Sequence, residues 1–461
     1  MTMDSFLNYM KAFSDFLWGA PMLILLVSGG ILLTITLDFF QFKYFSFIMK
    51  ETFGKIFSKP QGQGTISPVQ AVCSALASTV GAANIIGVPV AIAAGGPGAI
   101  FWMWVVAFIG QATKFSEIVL GIKYREQNEV GEYVGGPIYY LKKGLHAPVL
   151  GFMCSFFFML EIIASIATQS LSVCQTAENI GIPKIATGIF VAVLIALVVY
   201  GGIKRIGQVT EKLVPFMAIL YIFCTLIIVL INFRQLPYAF GLIFKHAFTP
   251  LAAVGGFGGS ALAATIRWGV ARGTYSNEAG MGSAPIAHAA AITDHPVRQA
   301  LWGVFEVTVD TLIICTMTAL AILTSDIWKV LPSSQAVTMP SAIFQSTFGH
   351  SLGGIIMSVS MLLFVLSTII VITFYCEKMA ESLFGLHFSK LIRFVCLLAV
   401  LYGAVGQLDV LFSLLDILLA FVVIPNMIGV ILMRKEVKSL KDEFFNSPEF
   451  YKKSDSRAAS R

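Results

Sequence analysis

The chain has 461 residues, of which 57% are hydrophobic and only 12% charged, with 38 phenylalanines. A soluble domain carries about 25% charged residues, so composition excludes an ordinary soluble enzyme and places most of the chain in a membrane. The formal net charge of +6 needs no nucleic-acid partner to explain it, because the basic residues are spread over loops expected to face anionic lipid.

Met1 to Asp15 is polar and amphipathic and lacks the features of a cleavable signal peptide. About eleven apolar spans of membrane length follow, with cores near 17–38, 69–94, 98–122, 150–176, 184–201, 213–232, 250–272, 299–324, 352–384, 390–406 and 409–433. Lysine and arginine cluster in alternate loops: Lys43, Lys50, Lys55 and Lys59; Lys123, Arg125, Lys142 and Lys143; Lys204, Arg205 and Lys212; Arg298; Lys390 and Arg393; and the tail from Arg434. The opposite loops hold only Lys11, Lys184, Arg234, Lys245 and Lys329. The positive-inside rule then expects a multi-pass protein with its N-terminus outside and its C-terminus in the cytoplasm. Compact loops suit a bacterial inner membrane. The cysteines Cys73, Cys154, Cys174, Cys224, Cys315, Cys376 and Cys396 all lie in or beside apolar segments, without CxxC spacing. They read as small buried hydrophobes rather than a disulfide or metal framework.

The second span is the unusual one. Ser74 to Trp104 reads SALASTVGAANIIGVPVAIAAGGPGAIFWMW, apolar but interrupted by Gly81, Gly87 and Pro89, with Asn84 between them. A helix broken in mid-membrane exposes backbone groups that hydrocarbon cannot satisfy, so it persists only if buried in protein or lining a polar cavity. The seventh span is glycine-rich, with Gly255, Gly256, Gly258, Gly259, Gly269 and Gly273. Single glycines of this kind are usually packing positions. Two such segments five spans apart enter the membrane from opposite sides, and paired interrupted helices point to an inverted-repeat transporter and its binding site. No HExxH or clustered His/Asp set is present, which argues against an enzyme. The short tail after Met433 leaves no room for a receptor's output domain.

A broken helix offers free N–H groups at the start of its second half and carbonyls at the end of its first. Here the second half would start near Ala82 to Ile85, and the small side chains of Ala82 and Ala83 let a ligand approach the backbone. Asn84 either coordinates a cation or ties the freed backbone, and Thr79 adds a hydroxyl one turn earlier. Glu161 is an intramembrane carboxylate that either carries a proton or, the preferred reading, sits near the interface in a salt bridge. Arg267, Arg272, Glu278 and Asp310, with Lys114 and Glu117, form a buried-looking charge set. Arg267 and Arg272 are placed on the cytoplasmic half of the seventh span, in ion pairs that close an inner gate. His288 and His295 lie near the cytoplasmic face, where loop packing is preferred over pH sensing.

Long stretches resemble the alanine or glycine:cation symporter family of the amino acid–polyamine–organocation superfamily: NIIGVPVAIAAGGPGAIFWMW (84–104), ATKFSEIVLGIKYRE (112–126), GEYVGGPIYYLKKGL (131–145), YGGIKRIGQVTEKLVPFMAILY (200–221), RWGVARGTYSNEAGMGSAPIAHAAAITDHPVRQALWGVFEV (267–307) and YCEKMAESLFG (375–385). The resemblance implies an all-α, LeuT-like five-plus-five inverted repeat preceded by one extra helix. On the span boundaries above, this divides the chain into an extra helix (1–40), a first repeat (41–232), a second repeat (233–433) and a cytoplasmic tail (434–461). It also implies symport of a small neutral amino acid, alanine or glycine and possibly D-alanine, with Na⁺ or, alternatively, H⁺. No cofactor and no obligatory protein partner are expected. The substrate would meet Ala82, Ala83, Asn84, Gln169, Gly258, Gly259 and Ile372. Na⁺ would meet Asn84 and Thr79, and a second-type site would form from Ser367, Thr368 and the carbonyls near Ala77 and Val80. The chain departs from the family twice: Ala82-Ala83 stands for the usual Thr-Gly, and Val371-Ile372 for the usual Gly-Trp.

Overall fold

In the computed structural model the described residues are 3–178, 181–252, 259–406 and 409–452. Helices make up nearly all of it; a single hairpin pairs Glu126–Gln127 with Tyr133–Val134. Among the described residues, eight helices are long and apolar enough to cross a membrane, and a bent pair would make a ninth. Two expected spans fall short of that standard. One is Lys184–Val199, apolar but 16 residues long, and the other is the seventh, which is divided in two.

Leaving aside five short helices (Phe40–Lys43, Phe45–Glu51, Pro137–Tyr139, Ile327–Val330 and Met339–Phe348), the helices in chain order are α1 (Met3–Leu17), α2 (Ala20–Thr36), α3 (Pro68–Thr79), α4 (Val88–Gly95), α5 (Ala99–Lys123), α6 (Pro148–Glu178), α7 (Lys184–Val199), α8 (Gly202–Ile231), α9 (Leu236–His246), α10 (Leu262–Asn277), α11 (Ala284–Ala289), α12 (Pro296–Val307), α13 (Thr316–Thr324), α14 (His350–Phe384), α15 (Leu386–Val405), α16 (Asp409–Leu432) and α17 (Arg434–Asn446).

The first break is where the sequence expects it. α3 starts with a capping box, in which the Ser67 hydroxyl accepts from Gln70 N and the Gln70 side chain accepts from Ser67 N. It ends at Val80, a wide π-turn runs over Ala83–Gly87, and the axis bends by 46° into α4. Pro89 sits in the first turn of α4, where its missing N–H costs nothing.

The second break is not in the glycine cluster. α10 and α11 are parted at Glu278–Ser283, after the glycines rather than among them. Gly269 and Gly273 are helical packing positions: a Cβ on either would lie 2.4 Å from an atom of α5, which is the small-residue contact of membrane helices. The chain leaves α10 through Glu278 in the left-handed region (φ 55°), then Gly280 (φ 96°) and Gly282 (φ 73°). Glycine adopts such angles without the Cβ penalty that other residues carry.

The helices pack in two groups. α5 lies against α10, α11, α12 and α2, which gathers both broken helices around it. α6 lies against α14, α15 and α16. α3 crosses from the first group to meet α8 and α14 of the second. The site lies along that seam.

Candidate functional site

Both breaks are held by side chains from the neighbouring helix of the same group. Asn84 is fully buried; its Oδ1 accepts from Gly81 N at 2.9 Å, and its Nδ2 donates to Asp310 Oδ1 at 2.6 Å and Ser276 Oγ at 3.1 Å. Asp310 stands in a π-turn (Thr308–Cys315) between α12 and α13 and also accepts from Ser276 and Thr311. Asn84 thus ties the unwound backbone, one of its two expected roles. It does not line the central cavity.

The second break is held from α5, by two residues one turn apart. The Lys114 ammonium, fully buried, donates to Asn277 O at 2.8 Å at the end of α10 and pairs with Glu306 Oε1 at 2.8 Å. A cation at a helix C-terminus complements the helix dipole. Glu117 Oε1 accepts from Gly282 N at 2.9 Å and from Asn426 of α16, which also donates to Gly280 O. An acceptor therefore meets the N–H end of α11 and a donor the C=O end of α10, which leaves the break's polar groups paired. Behind Glu306, His288 lies 3.5 Å away and hydrogen bonds with Gln299 at 2.9 Å. His295 caps α12 by accepting from Val297 N. Both histidines are held in local contacts of this kind.

Between the breaks, α6, α14 and the start of α16 lies a cavity of 410 Å³. Of the expected site residues, Thr79, Ala82, Ala83, Gln169, Thr368 and Ile372 line it. Gln169 also donates to Ser165 Oγ at 3.3 Å along α6. Thr368 faces the break: its hydroxyl lies where a Cβ on Gly81 would come within 2.7 Å. Ser367 points elsewhere, donating to Phe364 O at 2.8 Å and to Met217 Sδ of α8 at 3.3 Å. Consecutive helical residues project about 100° apart, so one of the pair meets α3 and the other α8. Ala77 and Val80 are fully buried beside the first break and do not line the cavity. Gly259 lies before α10, bridged through Leu251 and Ser260, and does not reach the cavity, because the break it was assigned to lies about twenty residues later. Gly258 lies outside the described residues.

Three charged residues stand differently from expectation. Arg267 and Arg272 are on α10 before its break, in the half away from the basic loops. Arg267 pairs there with Asp15 of α1 at 3.1 Å, half-exposed, and Arg272 packs over Trp268 and lines the cavity with its Nε unpartnered. Neither makes an ion pair at the basic-loop end among the described residues. Among the described residues Glu161 makes no ion pair; buried, it faces the cavity from the middle of α6. Sequence reasoning did not single out Tyr375, Ser78, Ser283 or Asp416, which are among the other lining residues. Polar residues at helical spacing on apolar spans were the available signal, as with Glu161, Ser165, Gln169 and Ser172 along one face of α6.

The cavity reaches Ser172, Arg272 and Asp416 at one end. At the basic-loop end, polar contacts bind the two helix groups: Gln70 to Glu211 at 3.0 Å, Ser74 to Thr210 at 3.1 Å, Ser78 to Tyr375 at 3.4 Å, and Lys378 to Glu132 at 3.0 Å.

The pattern of the sodium:alanine symporter family matches residues 3–458. The chain is 51% identical over 453 residues to the uncharacterized transporter YflA of Bacillus subtilis (strain 168), covering 98% of this chain and 96% of that one. It is 40% identical over 443 residues to the sodium/alanine symporter AgcS of Methanococcus maripaludis, with 94% and 96% covered. A solved structure, MhsT in complex with L-phenylalanine, is similar in fold, with a TM-score of 0.58 at 13% identity over 82% of this chain and 90% of that one. That is a LeuT-fold transporter, and the architecture of this chain is of the same kind.

Proposed function

This chain belongs to the sodium:alanine symporter family, whose members are membrane transporters and not enzymes, and from that premise we propose that it imports a small neutral amino acid, alanine or glycine, together with Na⁺. The observation that carries the reading is the cavity at the first break. There the nearly bare backbone of Ala82 and Ala83 meets Gln169 and Thr368 across the seam between the two helix groups. Backbone N–H groups at Ala82–Ala83 suit the substrate carboxylate, and Gln169 supplies a neutral amide for the rest of the zwitterion. Na⁺ is a hard cation that prefers oxygen ligands. The Thr368 hydroxyl and the freed carbonyls around Val80 are the donors we assign to it, with Thr79 beside them.

The proposed cycle is alternating access. Substrate and Na⁺ enter from the Ser172–Asp416 end, which we take to be the outside, in accord with the basic loops lying in the cytoplasm. The group gathered around α5 then moves against the group around α6. Gln70–Glu211, Ser74–Thr210 and Ser78–Tyr375 part, and the basic-loop end opens. Na⁺ at Thr368 bridges α3 to α14, so its binding favours one of two states by its differential affinity for them. The repeat boundaries 41–232 and 233–433, with a tail from 434, are the division this cycle uses.

Equilibrium binding of labelled alanine to the purified chain, in Na⁺ and in choline, tests this reading. Saturable binding that requires Na⁺ and is displaced by glycine supports it. Binding indifferent to Na⁺, or none by either amino acid, refutes it.

A further inference from the structure

Glu161 is left over by the site just described. Its side chain is 5% exposed, and that remnant opens into the central cavity. Among the described residues no basic group stands within ion-pair distance of it and no donor bonds to it. The ionisable groups facing it are Glu278 at the second break, Tyr275 and Arg272 of α10, Tyr375 and Cys376 of α14, and Asp416 of α16. Glu278 is itself acidic and accepts from Ser78 and Ser283. Arg272 and Asp416 lie together towards the other end.

Its depth separates it from the substrate position. Cys376 donates to Met159 O at 3.5 Å, which sets Glu161 level with Tyr375 on α14, and Tyr375 in turn contacts Ser78. Thr368, beside the break, lies seven residues along α14, or about 10 Å at 1.5 Å per residue. A small amino acid held at Ala82–Ala83 leaves the Glu161 end unfilled.

An ionised carboxylate without a partner is costly away from water, whereas its protonated form is tolerated. While the cavity is open, water solvates Glu161. When the cavity closes around the substrate, that water is lost, and among the described residues no basic group stands within ion-pair distance to take its place. We propose that Glu161 is a proton-binding site used once per transport cycle, additional to the Na⁺ site; this rests on the carrier reading above. An O–H bond forms on a Glu161 carboxylate oxygen with a proton taken from cavity water on the outer side. The same bond breaks to water on the cytoplasmic side when that end opens, so one proton moves inward with the substrate and no other bond changes.

The test uses proteoliposomes of the full chain loaded with a pH-sensitive dye, with alanine as substrate and an inward Na⁺ gradient. Alanine counterflow, which needs no ion gradient, normalises each variant. The wild-type chain is expected to acidify the lumen in step with alanine entry. Glu161→Gln is expected to lower the protons moved per alanine at least fivefold. Glu161→Asp, which keeps a carboxyl, is expected to retain the proton signal and serves should the glutamine variant fail to fold. No proton movement with alanine in the wild type, or an unchanged ratio in Glu161→Gln, overturns the proposal. Absent counterflow by the wild type overturns the carrier reading and the proposal with it.

Discussion

Replacing Lys114 by methionine removes the cap of the second break while nearly preserving side-chain volume. The ammonium it deletes is fully buried and makes two contacts of 2.8 Å, one to Asn277 O and one to Glu306 Oε1. Glu306 is 1% exposed, with Lys114 at 2.8 Å on one carboxylate oxygen and His288 at 3.5 Å from the other. Lys114 and the more distant His288 are therefore its only compensation. Breaking a buried ion pair from one side costs about 3–5 kcal/mol, chiefly for the charge left behind. Glu306→Gln removes that charge but leaves the ammonium on Asn277 O, so it should cost less than Lys114→Met. In the double variant the charge on Glu306 is gone as well, so the costs should fall short of additive by about 1–3 kcal/mol. Equilibrium unfolding of the detergent-solubilised protein, followed by tryptophan fluorescence, measures all four corners of the cycle. Strict additivity, or a Lys114→Met cost below about 1 kcal/mol, the level of an exposed pair, would refute the claim that Lys114 and Glu306 act as one buried unit.

Thr368→Ala is expected to raise the Na⁺ concentration for half-maximal alanine uptake at least tenfold, whereas Ser367→Ala, whose hydroxyl faces Met217, should raise it less than threefold; Na⁺ titrations of uptake distinguish them. Lys378 joins Glu132 and Glu381 at 3.0 and 2.8 Å, a latch across the closed basic-loop end. Lys378→Met should increase labelling of a cysteine placed at Ser78 by a membrane-impermeant thiol reagent from the cytoplasmic side, and unchanged labelling would contradict the latch. His295, outside the spans, has its pKa lowered by burial and stays neutral as the cap of α12. Since the unfolded chain takes up the proton first, its contribution is present at neutral pH and is lost as pH falls below the unfolded value of about 6.5. His295→Asn, which preserves a capping side chain, should flatten the loss of stability between pH 6.5 and 5 in thermal unfolding scans.

Much of this arrangement was legible in the residues themselves, and the failures share a cause. Gly81, Gly87 and Pro89 marked the first break because helix breakers in an apolar run leave few alternatives. The position of the second break within its glycine-rich stretch was left open because glycine density is ambiguous. Gly269 and Gly273 are there so that α10 can approach α5, while the break proper needs only Gly280 and Gly282 and is held by charges from elsewhere. Asn84 was legible as special, but its allegiance to Gly81 and Asp310 depends on a helix more than two hundred residues away. Ser367 and Thr368 are adjacent in sequence, and only the packing of α14 between α3 and α8 decides which hydroxyl meets the break. Arg267 and Arg272 were assigned to the cytoplasmic half of the seventh span, and the structure puts both on α10 ahead of its interruption. Lys114 and Glu117 read only as members of a buried-looking charge set, whereas each serves a different end of the same interruption.

The most direct test of the central claim is uptake of labelled alanine and glycine into proteoliposomes under an inward Na⁺ gradient, against choline at the same pH. Concentrative uptake that appears with Na⁺ and collapses in choline is the result expected of a Na⁺-coupled carrier built on the cavity between Ala82, Gln169 and Thr368. Equal uptake in both, or accumulation of neither amino acid under any Na⁺ gradient, would contradict it.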